Sequence, residues 1–150
     1  MSATSVITQT DTLQINNQVF STFANNDCGK LTFPDELVEM DIGKNGNIIA
    51  AVNFKGQIVD FELRLLLAAV DDQYLNGILN QYQSGAVAFN TGVFVKNVVD
   101  QNNDVLSATM AMSGGIISKA PELMTSASGN VEQAVAVWHI RFGYWQRKIT

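Results

Sequence analysis

At 150 residues the chain has the length of one compact domain, and its formal net charge of −5, with nine scattered basic residues, excludes the clustered Lys and Arg that neutralise nucleic-acid phosphates. One cysteine and one histidine exclude an intrachain disulfide and a four-ligand Cys/His zinc site. A 47% hydrophobic fraction excludes a disordered chain, while the charged fraction, 15%, lies below the ~25% of ordinary soluble domains. Neutral amides replace the missing charge, with Asn and Gln filling roughly a sixth of the chain.

Residues 1–14 combine no basic segment with an apolar one, so they do not read as a secretory signal. The longest apolar run, 65–70, is far below the ~20 residues of a bilayer-spanning helix, and no membrane anchor is expected.

In chain order, 12–20 reads as a strand and 19–24 as a second short one. Residues 36–42 alternate, with Leu37, Glu39 and Asp41 on one side and Val38, Met40 and Ile42 on the other. The run ends at Gly43-Lys44-Asn45-Gly46, whose Asn-Gly pair tolerates positive φ and predicts a hairpin returning along 47–54. After a Lys55-Gly56 turn, 57–67 alternates, with Val59, Phe61, Leu63, Leu65 and Leu67 facing one way and Asp60, Glu62 and Arg64 the other. The alternation stops at Leu66, which predicts a strand end covered on both sides.

Tyr74, Leu75, Ile78, Leu79 and Tyr82 form a stripe at helical spacing, predicting one α-helix over about 71–84. Asp71 reads as its N-cap, Val70 and Leu75 as a hydrophobic staple, and Gly85 as the C-terminal stop. A second hairpin follows, 91–100 and 104–117 around Gln101-Asn102-Asn103. Residues 118–130, with Pro121 and small polar residues, read as a long loop. A last strand, 131–144, carries Trp138, Ile140, Phe142 and Tyr144 as a stripe. The predicted fold is mostly β: a single domain over 1–150, an antiparallel sandwich or barrel-like sheet with one packed helix.

No enzyme constellation emerges. His139 and Cys28 lack the flanking residues of a nucleophile motif, and the pair Asp71-Asp72 is explained by helix capping. Asp60 and Glu62 read first as a solvated strand face. Neither Gly43-Lys44-Asn45-Gly46 nor Gly114-Gly115 has the spacing of a phosphate loop. Trp138, Tyr144 and Trp145 suit core or subunit contact better than base or sugar stacking. No catalytic residue, metal or cofactor is expected, and a structural or binding role becomes the default.

The order of these elements resembles the tail-tube proteins of contractile-tailed bacteriophages, which are related in fold to the Hcp ring proteins of type VI secretion. The matching features are the Phe-rich strand near Val19 and Phe23, the lead-in Phe33-Pro34-Asp35-Glu36, and the Asp41-to-Asn47 hairpin tip. The Lys55-Gly56 turn, the helix with Tyr74-Leu75-Asn76 and the closing Val137-Trp138-His139-Ile140 strand complete them. The resemblance implies homo-hexameric rings whose sheets join into one barrel and which stack into a tube. It places the protein in a virion tail assembled in the bacterial host cytoplasm, with sheath, baseplate hub, tape-measure and tail-terminator proteins as partners. DNA would pass through without specific binding. Exposed sheet edges, a hazard in a monomer, would be consumed by ring closure.

Within that resemblance, Glu39, Asp41, Asp60 and Glu62 are expected to line a lumen that repels DNA phosphates, with the first two on a strand next to the other two. Inter-ring contacts are expected at Gly43, Lys44, Asn45, Gly46 and Asn47 and, in the long loop, at Pro121 and Glu122. The alternatives are an Hcp-like or tail-terminator ring protein, or a monomeric β-sandwich that binds a glycan or peptide through Trp138 and Tyr144.

Overall fold

The computed structural model describes residues 5–6, 12–23, 29–99, 101–128 and 131–149. Its strands are β1 (Ser5–Val6), β2 (Thr12–Ile15), β3 (Gln18–Phe20), β4 (Gly29–Thr32), β5 (Val38–Ile42), β6 (Ile48–Val52), β7 (Val59–Leu66), β8 (Asn90–Val99), β9 (Val105–Ser128) and β10 (Val131–Ile149). One helix, α1 (Val70–Gln83), follows β7. Eight strands form an antiparallel sheet in the order β1-β4-β7-β10-β9-β8-β2-β3, and β5 and β6 form a two-stranded sheet of their own.

The large sheet curls without closing. Beyond β3 the chain reaches back to β7, where Leu66 N–H donates to Thr22 O at 3.0 Å and Phe23 bridges Leu65. The concave face holds the core. Val59, Phe61, Leu63 and Leu65 of β7 and Trp138, Ile140 and Phe142 of β10 are essentially inaccessible to water, as the alternation in both strands predicts. Each such side chain stabilises the fold by about 1.5–3 kcal/mol relative to exposure. The Phe142 ring lies against β8 and β9 only because Gly115 is there: a Cβ on Gly115 would sit 2.4 Å from that ring and 2.9 Å from Asn90 O.

α1 lays Leu75 on this core, with Tyr74, Ile78, Leu79 and Tyr82 packed beside it. Its start differs from expectation. Ala69 occupies the N-cap without a side-chain bond, Val70 is exposed and makes no staple, and Asp71 lies inside the first turn. Asp72 braces the residue before the cap: its Oδ2 accepts from Ala68 N–H at 2.8 Å, and its Oδ1 accepts from Trp138 Nε1–H at 2.8 Å. Asp71 is buried and faces the other way. Its Oδ2 accepts from Ser21 N–H and Thr22 N–H at 2.8 Å each and from the Thr22 hydroxyl at 2.7 Å, so it fastens the helix to the segment after β3.

The expected loop over 118–130 is largely strand, since β9 continues to Ser128 in pairing with β10. Two register shifts hid this from the sequence. Ala120 and Pro121 together oppose Trp138, and one more residue is inserted between the His139–Lys119 and Ile140–Ile117 pairs. A bulge accommodates a proline that a regular ladder would reject, and it breaks the period-two pattern. The strand end at Leu66 is only partly covered: Leu66 is half-buried and Leu67 exposed, although Val135 across from Leu66 and Val137 across from Arg64 are buried on the face opposite the core. Tyr144, expected in the last strand's stripe, is also exposed. Among the described residues no helix is long and apolar enough to cross a membrane.

Candidate assembly surfaces

Two surfaces carry the residues singled out from sequence. The first is the convex face of β4, β7, β10 and β9. Asp60 and Glu62 project there, and neither acid stands alone. Asp60 takes a two-pronged contact from Arg141, with Nε at 2.6 Å and the second nitrogen at 3.1 Å. That hydrogen bond, reinforced by the charge of Asp60, raises the Arg141 pKa further above its already high ordinary value. Glu62 lies 3.5 Å from Lys30 and 3.7 Å from Arg64. The register sets His139 between Glu62 and Lys119, with its Nε2 3.8 Å from Glu122. Asp60, Glu62 and Glu122 therefore face Lys30, Arg64, Lys119 and Arg141 on one surface. Such a face is close to charge balance and neither strongly repels nor attracts a polyanion.

Glu39 and Asp41 are not on a strand beside these acids. They belong to the separate β5–β6 sheet, so the four candidates do not share one face. Pro121 and Glu122 sit within β9 instead of in a loop, and residues 129–130 of the expected loop lie outside the described residues, as does Cys28.

The second surface is the hairpin itself, which is exposed along both strands. A turn forms where the Asn-Gly pair predicts it, but only Gly46 takes positive φ, +79°: Gly46 N–H donates to Gly43 O at 2.9 Å, closing a turn over 43–46, and Gly43 N–H donates to Asn47 O at 2.8 Å. At its base the hairpin is first closed on itself. Asn53 N–H donates to Leu37 O at 2.8 Å, and the Asn53 side chain donates to Glu36 O at 3.0 Å. Gly56 follows in a short 3₁₀ turn, where a Cβ would collide with the Leu37 backbone at 2.4 Å. Trp145 closes this joint by donating its Nε1–H to Gly56 O at 3.3 Å and stacking at a tilt on Phe33. Next to the joint, Phe54 is 84% exposed. The result is a hairpin with a firm root and exposed strands. Sequence alternation revealed the strands, but not that, among the described residues, none covers them.

Trp138, the aromatic proposed for sugar or peptide contact, is buried with its indole N–H committed to Asp72, which leaves it no ligand-facing surface. Among the described residues no group of three or more His, Cys, Asp or Glu could hold a metal ion.

No protein-family model and no curated protein matches the sequence. Solved structures do match. One is a chain of the PVC sheath–tube complex, an extracellular contractile injection system in its extended state; it superposes with a TM-score of 0.63 at 9% identity, covering 97% of this chain and 93% of that one. The fold is that of contractile injection system components. A second match, in the tube-terminating cap of the anti-feeding prophage, has a TM-score of 0.59 at 12% identity and covers 97% of this chain and 92% of the other. The resemblance drawn from element order therefore agrees with the fold, across nearly the whole length of each chain.

Proposed function

We propose that this protein is a structural subunit of a contractile tail, and that its copies close into hexameric rings which stack into the inner tube. The observation that carries the reading is the firmly rooted, fully exposed β5–β6 hairpin on a fold shared with sheath–tube and tube-cap chains. A lone domain gains nothing from leaving such a surface in water, whereas a ring or tube covers it. In this reading Gly43, Lys44, Asn45, Gly46 and Asn47 contact the next ring. Asp60 and Glu62 line the passage as members of ion pairs, so DNA slides past a nearly neutral wall. Sheath, hub, tape-measure and terminator proteins are the partners of such a tube in the virion tail. Removing residues 43–47 tests the stacking role: isolated rings should replace tubes, and intact tubes would refute it. The match to a tube-terminating cap favours a second reading, a ring that ends a tube instead of building it. Single rings that never polymerise would support that alternative.

A further inference from the structure

The faces and edges of the hairpin differ. Val38, Met40 and Ile42 of β5 share one face with Ile48, Ala50 and Val52 of β6, and all are exposed. At about 100 Å² for each larger side chain, that face presents roughly 500 Å², in the upper range for the largest apolar patch on a monomer and over half of the ~800 Å² each partner gives to a standard interface. The other face carries Glu39 and Asp41.

The backbone phase is set by the bonds at the two ends of the ladder, Gly43 N–H to Asn47 O and Asn53 N–H to Leu37 O. Antiparallel pairs alternate, so Ile49 and Ala51 bond to β5, while the N–H and C=O groups of Ile48, Ala50 and Val52 point to the free side. Two other open edges carry features that discourage pairing. β9 above its contact with β8 has Lys119, Pro121 and two bulges, and β5 has two acids. β6 has none of these: Ile48-Ile49-Ala50-Ala51-Val52 lacks charge, proline, glycine and bulge.

A complementary edge exists on the same chain. β7 pairs with β10 only as far as Phe142, so residues 143–149 have β9 on one side and, among the described residues, no strand on the other; the 3₁₀ turn approaches that side at Trp145, which donates to Gly56 O, and the stretch beyond it is the open part. Arg147 and Lys148 are exposed there on alternate faces, so one of them would share a face with Glu39 and Asp41 of β5, one strand further on and opposite in sign. We propose that the free edge of β6 accepts residues 146–149 of a second copy as an added strand, so that β5-β6 and the neighbour's β10-β9 form one intermolecular sheet. The contact is head-to-tail, as a ring or stack requires. It rests on the reading of the chain as a self-assembling subunit.

The test uses the full chain, with sedimentation velocity and negative-stain microscopy over a range of concentrations. Ala50→Pro deletes one outward N–H and spares the ladder to β5, whereas Ala50→Val keeps the N–H. Ala50→Pro should raise the concentration of half-assembly about tenfold or more, and Ala50→Val should leave it near wild type. Arg147→Glu with Lys148→Glu should also weaken assembly, and adding Glu39→Lys with Asp41→Lys should restore it. This charge exchange keeps the test valid if the proline distorts the hairpin. Wild-type assembly by Ala50→Pro, or no rescue by the exchange, overturns the edge pairing while leaving the tube reading intact. Wild-type dimers that Ala50→Pro abolishes support the edge and contradict the tube, and a wild-type monomer at all concentrations overturns both.

Discussion

Replacing Asp71 by alanine tests how the open sheet is held in its curl. The carboxylate is 1% exposed, and one oxygen accepts from Ser21 N–H, Thr22 N–H and the Thr22 hydroxyl, all within 2.8 Å. Gln18 adds a longer contact at 3.4 Å to the other oxygen. Alanine leaves two backbone N–H groups and a hydroxyl without their acceptor, next to the bridge that brings Phe23 onto Leu65. A buried donor left unsatisfied costs about 1–3 kcal/mol, and entering water relieves part of this at the partly exposed Thr22, so the net loss is about 3–5 kcal/mol. At ~2–4 °C per kcal/mol for a domain of this size, Tm should fall by roughly 10 °C in differential scanning calorimetry. Asp71→Asn keeps an accepting oxygen in place and should lose about half as much. A loss below ~1 kcal/mol for Asp71→Ala would show that the helix does not hold this segment.

Four further outcomes follow from single contacts. Asp72→Ala removes the acceptor of both Ala68 N–H and the Trp138 indole, so it should destabilise by about 2–3 kcal/mol and alter the near-UV circular dichroism of the buried tryptophan. Gly115→Ala drives a methyl into the Phe142 ring and should cost about 1–3 kcal/mol by chemical denaturation, with unchanged stability counting against the packing described. Gly56→Ala meets backbone atoms that cannot yield, so it should tilt the hairpin and block assembly while the core stays folded, seen as native far-UV circular dichroism in particles too small for rings. A double-mutant cycle on Asp60 and Arg141 should give at most ~1 kcal/mol, because both side chains are well exposed, and high salt should shrink it.

The readable parts of the sequence were those whose signal is local. β7 shows its two faces because its alternation is unbroken, and α1 shows its stripe because five apolar residues recur at helical spacing. The hairpin turn is announced by Asn45-Gly46. The misread parts depend on partners distant in sequence. Upper β9 lost its alternation to two bulges, and Pro121 reads as a loop residue unless the bulge opposite Trp138 is known. Asp71 and Asp72 look alike as helix-start acids, and only the positions of Thr22 and Trp138 assign one to an edge segment and the other to the residue before the cap. On the convex face Asp60, Glu62 and Arg64 are visible in one strand as a solvated row, but Lys30 and Arg141, which complete its ion pairs, come from strands separated from β7 in sequence. Amide abundance and low charge remain consistent with a surface that packs against copies of itself.

The proposed role stands or falls with self-association into rings and tubes. Negative-stain electron microscopy of the purified full-length protein tests it most directly: annular particles stacking into hollow filaments are the predicted result, and a field of dispersed monomers at every concentration would contradict it.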